Sequence, residues 1–132
     1  MSDNYHKHAV ILFAHGSRDP LWRQPIEAVA HQIKQISPAK EVACAYLELT
    51  EPDLPSAVAR LVQAGANQIR IVPMFLGVGR HAREDLPLLM QDLIAQYPAV
   101  GFELRKAIGE EPELTLAMAN IALQSVDTSN AP

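Results

Sequence analysis

Two imidazoles define the chemistry open to this chain. His15 stands in Phe13-Ala-His-Gly-Ser-Arg-Asp-Pro20, and His81 in Phe75-Leu-Gly-Val-Gly-Arg-His-Ala-Arg-Glu-Asp-Leu-Pro87; each follows an apolar run. If both runs are parallel strands of one sheet, both side chains emerge at its carboxyl edge, where open α/β folds place their ligands. Gly16 beside His15, and Gly77 and Gly79 before His81, remove bulk and permit tight turns there. Neutral imidazole suits cobalt, nickel, iron and zinc, and a pair of them leaves coordination positions open, as transient metal handling requires. Imidazole also accepts protons near neutral pH, so metal binding and proton abstraction are both available.

A third candidate is Glu48, in Tyr46-Leu-Glu-Leu-Thr-Glu-Pro52, at the end of a second apolar segment. Its carboxylate can receive protons, help hold a divalent cation, or simply pair with a nearby cation. Glu51 competes, but its place before Pro52 is equally explained as a charge at a helix start. Arg18, Arg80 and Arg83 share the two histidine segments, with Arg23 close by, and give an acidic protein a local cationic rim suited to polycarboxylates or phosphates. Pairing with Asp19, Glu84 and Asp85 is the alternative use of those arginines. His6, His8 and His31 lack the strand-end position and read as structural or surface residues, while Trp22 and the methionines read as packing stripes.

The elements that must position these groups form a βα repeat. Four short apolar segments, Ala9 to Ala14, Val42 to Leu49, Gln68 to Phe75 and Val100 to Ala107, alternate with four helical patterns. The first and third are near-continuous apolar runs, as expected of central parallel strands covered on both faces; the fourth reads as an edge. Right-handed crossovers then predict a four-stranded parallel sheet of order 2-1-3-4 with helices on both faces, a three-layer sandwich that brings the His15 and His81 segments together. Trp22, Ile26, Val29, Ile33 and Ile36 make the apolar stripe of the first helix, with Asp19 as cap and Pro20 in its first turn. Thr50 or Asp53 caps the second helix, and Gly65 ends it. Leu86, Leu89, Met90, Leu93, Ile94 and Tyr97 stripe the third, where Pro87 lies in the first turn or kinks the helix. Leu114, Met118, Ile121 and Ala122 share a face of the fourth, which begins near Glu111-Pro112.

With 132 residues the chain fits one domain, residues 1–132, with an ordered core of about 8–125 and short polar tails. A formal net charge of −4 with 20% charged residues gives no global reason to expect nucleic acid or an anionic membrane. The only cysteine, Cys44, lies in an apolar run and reads as a small buried side chain in a reducing compartment. The polar start carries no signal-peptide pattern, and no run is long enough for a membrane span, so a cytoplasmic location is expected. There is no Gly-x-Gly-x-x-Gly after the first strand, no phosphate loop and no Cys-x-x-Cys, so no nucleotide is expected.

Taken together, Ala14-His-Gly-Ser-Arg18, Leu47-Glu-Leu, Val72-Pro-Met-Phe-Leu-Gly-Val-Gly-Arg-His81 running into Glu84-Asp-Leu-Pro87, and Ile108-Gly-Glu resemble the short form of the sirohydrochlorin cobaltochelatase family (CbiX type), among the two-histidine tetrapyrrole chelatases. The resemblance spans about residues 8 to 125. It implies insertion of a divalent metal, Co²⁺ foremost with Ni²⁺ or Fe²⁺ as alternatives, into sirohydrochlorin without nucleotide hydrolysis. By position His15 and His81 would bind the metal and accept protons, with Glu48 corresponding less closely. Arg18, Arg80 and Arg83 would meet substrate carboxylates, and Leu76, Val78, Leu86 and Pro87 would supply an apolar wall. Longer chelatases of this class resemble two such units in one chain, which implies that this one pairs as a homodimer. Two rival readings use the same residues: a metal- or tetrapyrrole-binding module without turnover, and a phosphohydrolase with His15 as nucleophile.

Overall fold

The chain was examined as a computed structural model, which describes residues 7–126. The expectations for His6 and for a frayed tail beyond Val126 therefore lie outside the described residues. Four strands, β1 (His8–Ala14), β2 (Glu41–Tyr46), β3 (Gln68–Pro73) and β4 (Gly101–Leu104), alternate with helices α1 (Gln24–Ile36), α2 (Leu54–Gln63), α3 (Arg80–Gln96) and α4 (Pro112–Leu123). The strands are parallel in the order β2-β1-β3-β4, as the alternation predicts. β1 and β3 are central and hydrogen-bonded to each other, with Phe13 opposite Pro73.

Alternation along β1 separates the two faces. Ala9, Ile11 and Phe13 join Ala45, Ile69 and Ile71 against Leu54, Val58 and Leu61 of α2 and Leu86, Met90 and Leu93 of α3, forming the main core. Val10 and Leu12 face the other side, where α1 and α4 contribute no buried residue. In the α1 stripe Ile26 and Ile33 are half-buried while Ile36 stands exposed, as does Ile121 of α4, and Arg70 interrupts the second face of β3. Trp22 is likewise not a core residue. It belongs to a 3-10 turn over Pro20–Arg23, is 37% exposed, and sets its ring 6.2 Å from that of Tyr46.

Helix ends follow local chemistry. Asp19 caps the 3-10 turn by accepting from the Leu21 N–H at 2.9 Å, and Asp53 caps α2 by accepting from the Ser56 N–H at 2.9 Å. After α2, Gly65 adopts φ +98°, and the Ala66 N–H reaches back to the Leu61 carbonyl at 2.9 Å, the glycine-terminated ending expected there. Pro87 lies well inside α3 rather than in its first turn. Its missing N–H leaves the Arg83 carbonyl without the usual intrahelical donor.

Candidate functional site

At the carboxyl edge, three strand ends meet. His15 follows β1 directly and is exposed. Continuing the β1/β3 register by two residues sets it beside Phe75, and the two rings lie 4.3 Å apart, tilted by 38°. Phe75 is buried and stands edge-on to Phe13 at 6.1 Å, so the imidazole rests on an aromatic floor that belongs to the core. His81 is exposed and is the second residue of α3, not part of a loop. The helix begins behind Gly79, which caps it without any side-chain hydrogen bond.

The segment after β2 is fastened to the His15 turn. The Leu47 N–H donates to the Ala14 carbonyl at 2.8 Å, and the Glu48 N–H donates to the His15 carbonyl at 3.0 Å. The Thr50 hydroxyl donates to the Ser17 carbonyl at 2.7 Å and accepts from the Ser17 N–H at 2.9 Å. Gly16 has φ +102°, and a Cβ there would run into the Glu48 carbonyl oxygen, so this position requires glycine. Strand β2 ends at Tyr46, short of the expected Leu49, because these side-chain and turn contacts replace the regular ladder. Glu48 is exposed beside His15 in the chain-to-chain pairing. Among the described residues, no three His, Cys, Asp or Glu side chains gather closely enough to hold a metal, so Glu48 does not complete a ligand trio with the histidines.

The arginines divide. Arg80 pairs with Glu84 at 3.0 Å, one turn along α3, and Arg23 with Glu27 at 2.9 Å. Arg18 and Arg83 are exposed and form no ion pair among the described residues. In the apolar wall, Leu76 is 67% exposed and Pro87 exposed, but Leu86 is buried. Its spacing to Met90 and Leu93 turns it into the core, which removes it from the wall. His31 is exposed on α1 and His8 opens β1, away from the edge. Burial pushes the Cys44 thiol above its ordinary value, the opposite of what a thiolate nucleophile needs, and Tyr46, raised to about 12 by burial first and by Cys44 second, stays protonated.

Phe75 and Leu49 were not singled out from sequence, and Thr50, read there as a candidate helix cap, instead ties to Ser17 while Asp53 caps α2. Phe75 could have been found by counting the β1/β3 register; the Thr50 link joins residues 33 apart and has no local signal. Two clefts border the edge. One, of about 430 Å³, is lined by Phe13, Tyr46, Leu54 and Leu88, and the other, of about 610 Å³, by Glu48, Leu49, Ser56 and Arg60. Neither is lined by His15 or His81, both of which are exposed.

An open parallel sheet with ligand-ready groups at its switch point is the class these features define. The CbiX family model matches residues 9–125, and the chain belongs to the CbiX family. A sirohydrochlorin cobaltochelatase of Methanopyrus kandleri is 35% identical over 82 residues, 62% of this chain and 57% of that protein. A sirohydrochlorin ferrochelatase of Bacillus subtilis is 32% identical over 114 residues, 85% of this chain and 43% of that one. The chain thus spans about half the length of these curated relatives. The crystal structure of a CbiX protein from Marinobacter aquaeolei VT8, named for cobalamin (vitamin B12) biosynthesis, superimposes with a TM-score of 0.75 at 38% identity, covering 87% of this chain and 93% of that one.

Proposed function

We propose that this chain is a metal chelatase that inserts a divalent metal, Co²⁺ foremost and Ni²⁺ or Fe²⁺ as alternatives, into sirohydrochlorin without a nucleotide. The observation that carries the reading is that, in a CbiX-family sheet, His15 directly follows β1 and His81 lies in the first turn of the helix that follows the adjacent strand β3. Insertion exchanges two pyrrole N–H protons for one M²⁺, so the site must present the cation and remove the protons. His15 and His81 present the metal and accept protons, with Glu48 as a further acceptor that passes them to solvent. The metal is a substrate, and the choice among first-row ions is set by geometry and supply. Arg18 and Arg83 bind the carboxylates of the macrocycle, and Arg80 joins them once it releases Glu84.

The unit is one domain over residues 1–132, folded from about 8 to 125, and it works as a homodimer in a reducing, cytoplasmic setting. No described helix is long and apolar enough to cross a membrane. Support for pairing comes from α4, which carries no charge after Glu113 and is apolar around most of its circumference. A helix of that composition normally lies buried, yet Leu116 and Ile121 are 64% exposed and Leu123 82%. On the same face of the sheet lies a groove of about 330 Å³ lined mainly by apolar residues, among them Val29, Ile33 and Met74, with Lys40 and Arg70 also in its lining. A two-fold partner offers the same helix and the same groove, which makes the match isologous.

The test mixes the protein with sirohydrochlorin and Co²⁺ and follows the absorbance change against protein-free and His81→Ala controls. Wild type should accelerate insertion at least tenfold, and His81→Ala should remove most of that acceleration. Binding of metal and sirohydrochlorin without acceleration would instead identify a binding module.

A further inference from the structure

Leu49 has no reason to be where it is unless something outside the chain uses it. It is the only non-glycine residue with positive φ among the described residues, at +64°. The left-handed region is costly for a leucine, and glycine or asparagine would occupy it at less cost. The Thr50 N–H donates back to the Glu48 carbonyl at 2.8 Å, so Leu49 is the centre of a three-residue turn of the strained hand. Buried packing does not account for it, because the residue is 55% exposed. The surroundings over-determine the turn: Glu48 is tied to His15, Thr50 to Ser17 through both groups of its hydroxyl, and Gly16 presses on the Glu48 carbonyl. Strain held in place this firmly at a strand-end site points to use.

The sheet order adds a second, independent observation. β2 and β3 flank β1, so the turn carrying Leu49 and the segment carrying Leu76 follow the strands on opposite sides of the one that His15 follows. Leu76 is also a solvent-facing leucine, and Gly109 approaches its backbone so closely that a Cβ there would strike it. Two exposed leucines after the strands that flank β1 offer a pair of apolar supports for a flat ring.

We infer that Leu49 is a substrate-positioning residue: with Leu76 on the far side, it holds the face of a tetrapyrrole macrocycle over His15, and it makes no contact with the metal. This rests on the chelatase reading. The test compares Leu49→Asn, which accepts the left-handed backbone but lacks apolar bulk, with Leu49→Met, which restores bulk. Each is titrated with metal-free sirohydrochlorin, titrated separately with Co²⁺ alone, assayed for insertion, and melted.

Leu49→Asn should weaken sirohydrochlorin binding at least fivefold and raise KM more than it lowers kcat. Its Co²⁺ affinity should match wild type and its Tm should equal or exceed wild type, because strain is relieved. Leu49→Met should bind sirohydrochlorin within twofold of wild type. Unchanged sirohydrochlorin binding by Leu49→Asn overturns the proposal while leaving the chelatase reading intact, and a fall in Tm that parallels the loss of binding overturns it in favour of a purely structural role. If wild type itself fails to bind sirohydrochlorin, the chelatase reading falls and this proposal falls with it.

Discussion

The two faces of the sheet are built to different degrees of completion. On the α2/α3 face, Ile11, Ile69 and Ile71 are at most 1% exposed and every helix sends buried side chains inward. On the α1/α4 face Val10 and Leu12 are buried, but no residue of α1 or α4 is fully so, and a cavity of about 520 Å³ is lined by Arg70 and Val72 of β3 and Leu114 and Ala117 of α4. Both faces carry apolar patterning of similar density, so pattern alone does not set burial. The main core of the chain lies on the first face. His15, at the edge, rests on that face through Phe75 and Phe13.

The largest expected effect lies on the complete face. Ile11→Ala removes a fully buried side chain from the centre of β1 and should cost about 2–5 kcal/mol in a urea denaturation at fixed protein concentration. Ile121→Ala, of identical chemistry on α4, should cost the isolated subunit no more than about 0.5 kcal/mol. Similar losses at both positions would mean that the faces are equally packed and would break the contrast.

Ile121→Glu sharpens the contrast from the other side. Burying a side chain of this size contributes about 1.5–3 kcal/mol, and setting a carboxylate there adds a desolvation cost, so the substitution should convert a dimer into a monomer. Light scattering at tens of micromolar should read twice the subunit mass for wild type and one subunit mass for the variant, with near-unchanged circular dichroism. A wild-type protein that is already monomeric at that concentration would remove the pairing from the proposed function.

This division also marks what could be read from sequence. The continuous runs of β1 and β3 announce central strands, and the strand order with both histidines at one edge follows from handed crossovers. Periodicity states that a helix face is apolar but not how far it is covered, so it did not separate the half-buried Ile26 and Ile33 of α1 from the exposed Ile36. That His81 belongs to a helix was not legible, because the cap of α3 is Gly79 and no Ser, Thr, Asp or Asn there reveals the helix start. Leu86 was assigned to the ligand wall although its spacing to Met90 and Leu93 already turned it inward. The strained turn at Leu49 depends on a contact between Thr50 and Ser17 that exists only once β1 and β2 have paired.

The smallest expected effect tests how the complete face is secured at its edge. α2 begins with a side-chain cap, Asp53 to the Ser56 N–H, whereas α4 begins at Glu111 with none. Hydrogen bonds from the Ser56 side chain and backbone hold the Asp53 carboxyl below its ordinary 3.8. A group whose folded-state pKa is depressed adds stability above its unfolded value, and that stability disappears as pH falls through the folded one. Asp53→Ala should therefore cost about 1 kcal/mol at pH 7, discounted for the exposure of the carboxylate, and the gap to wild type should shrink steadily below about pH 4. The matching substitution at the head of α4, Glu111→Ala, removes no cap, so at pH 7 it should lower the urea midpoint less than Asp53→Ala does; an equal fall would mean that the cap contributes no more than the Glu111 pair with Arg105.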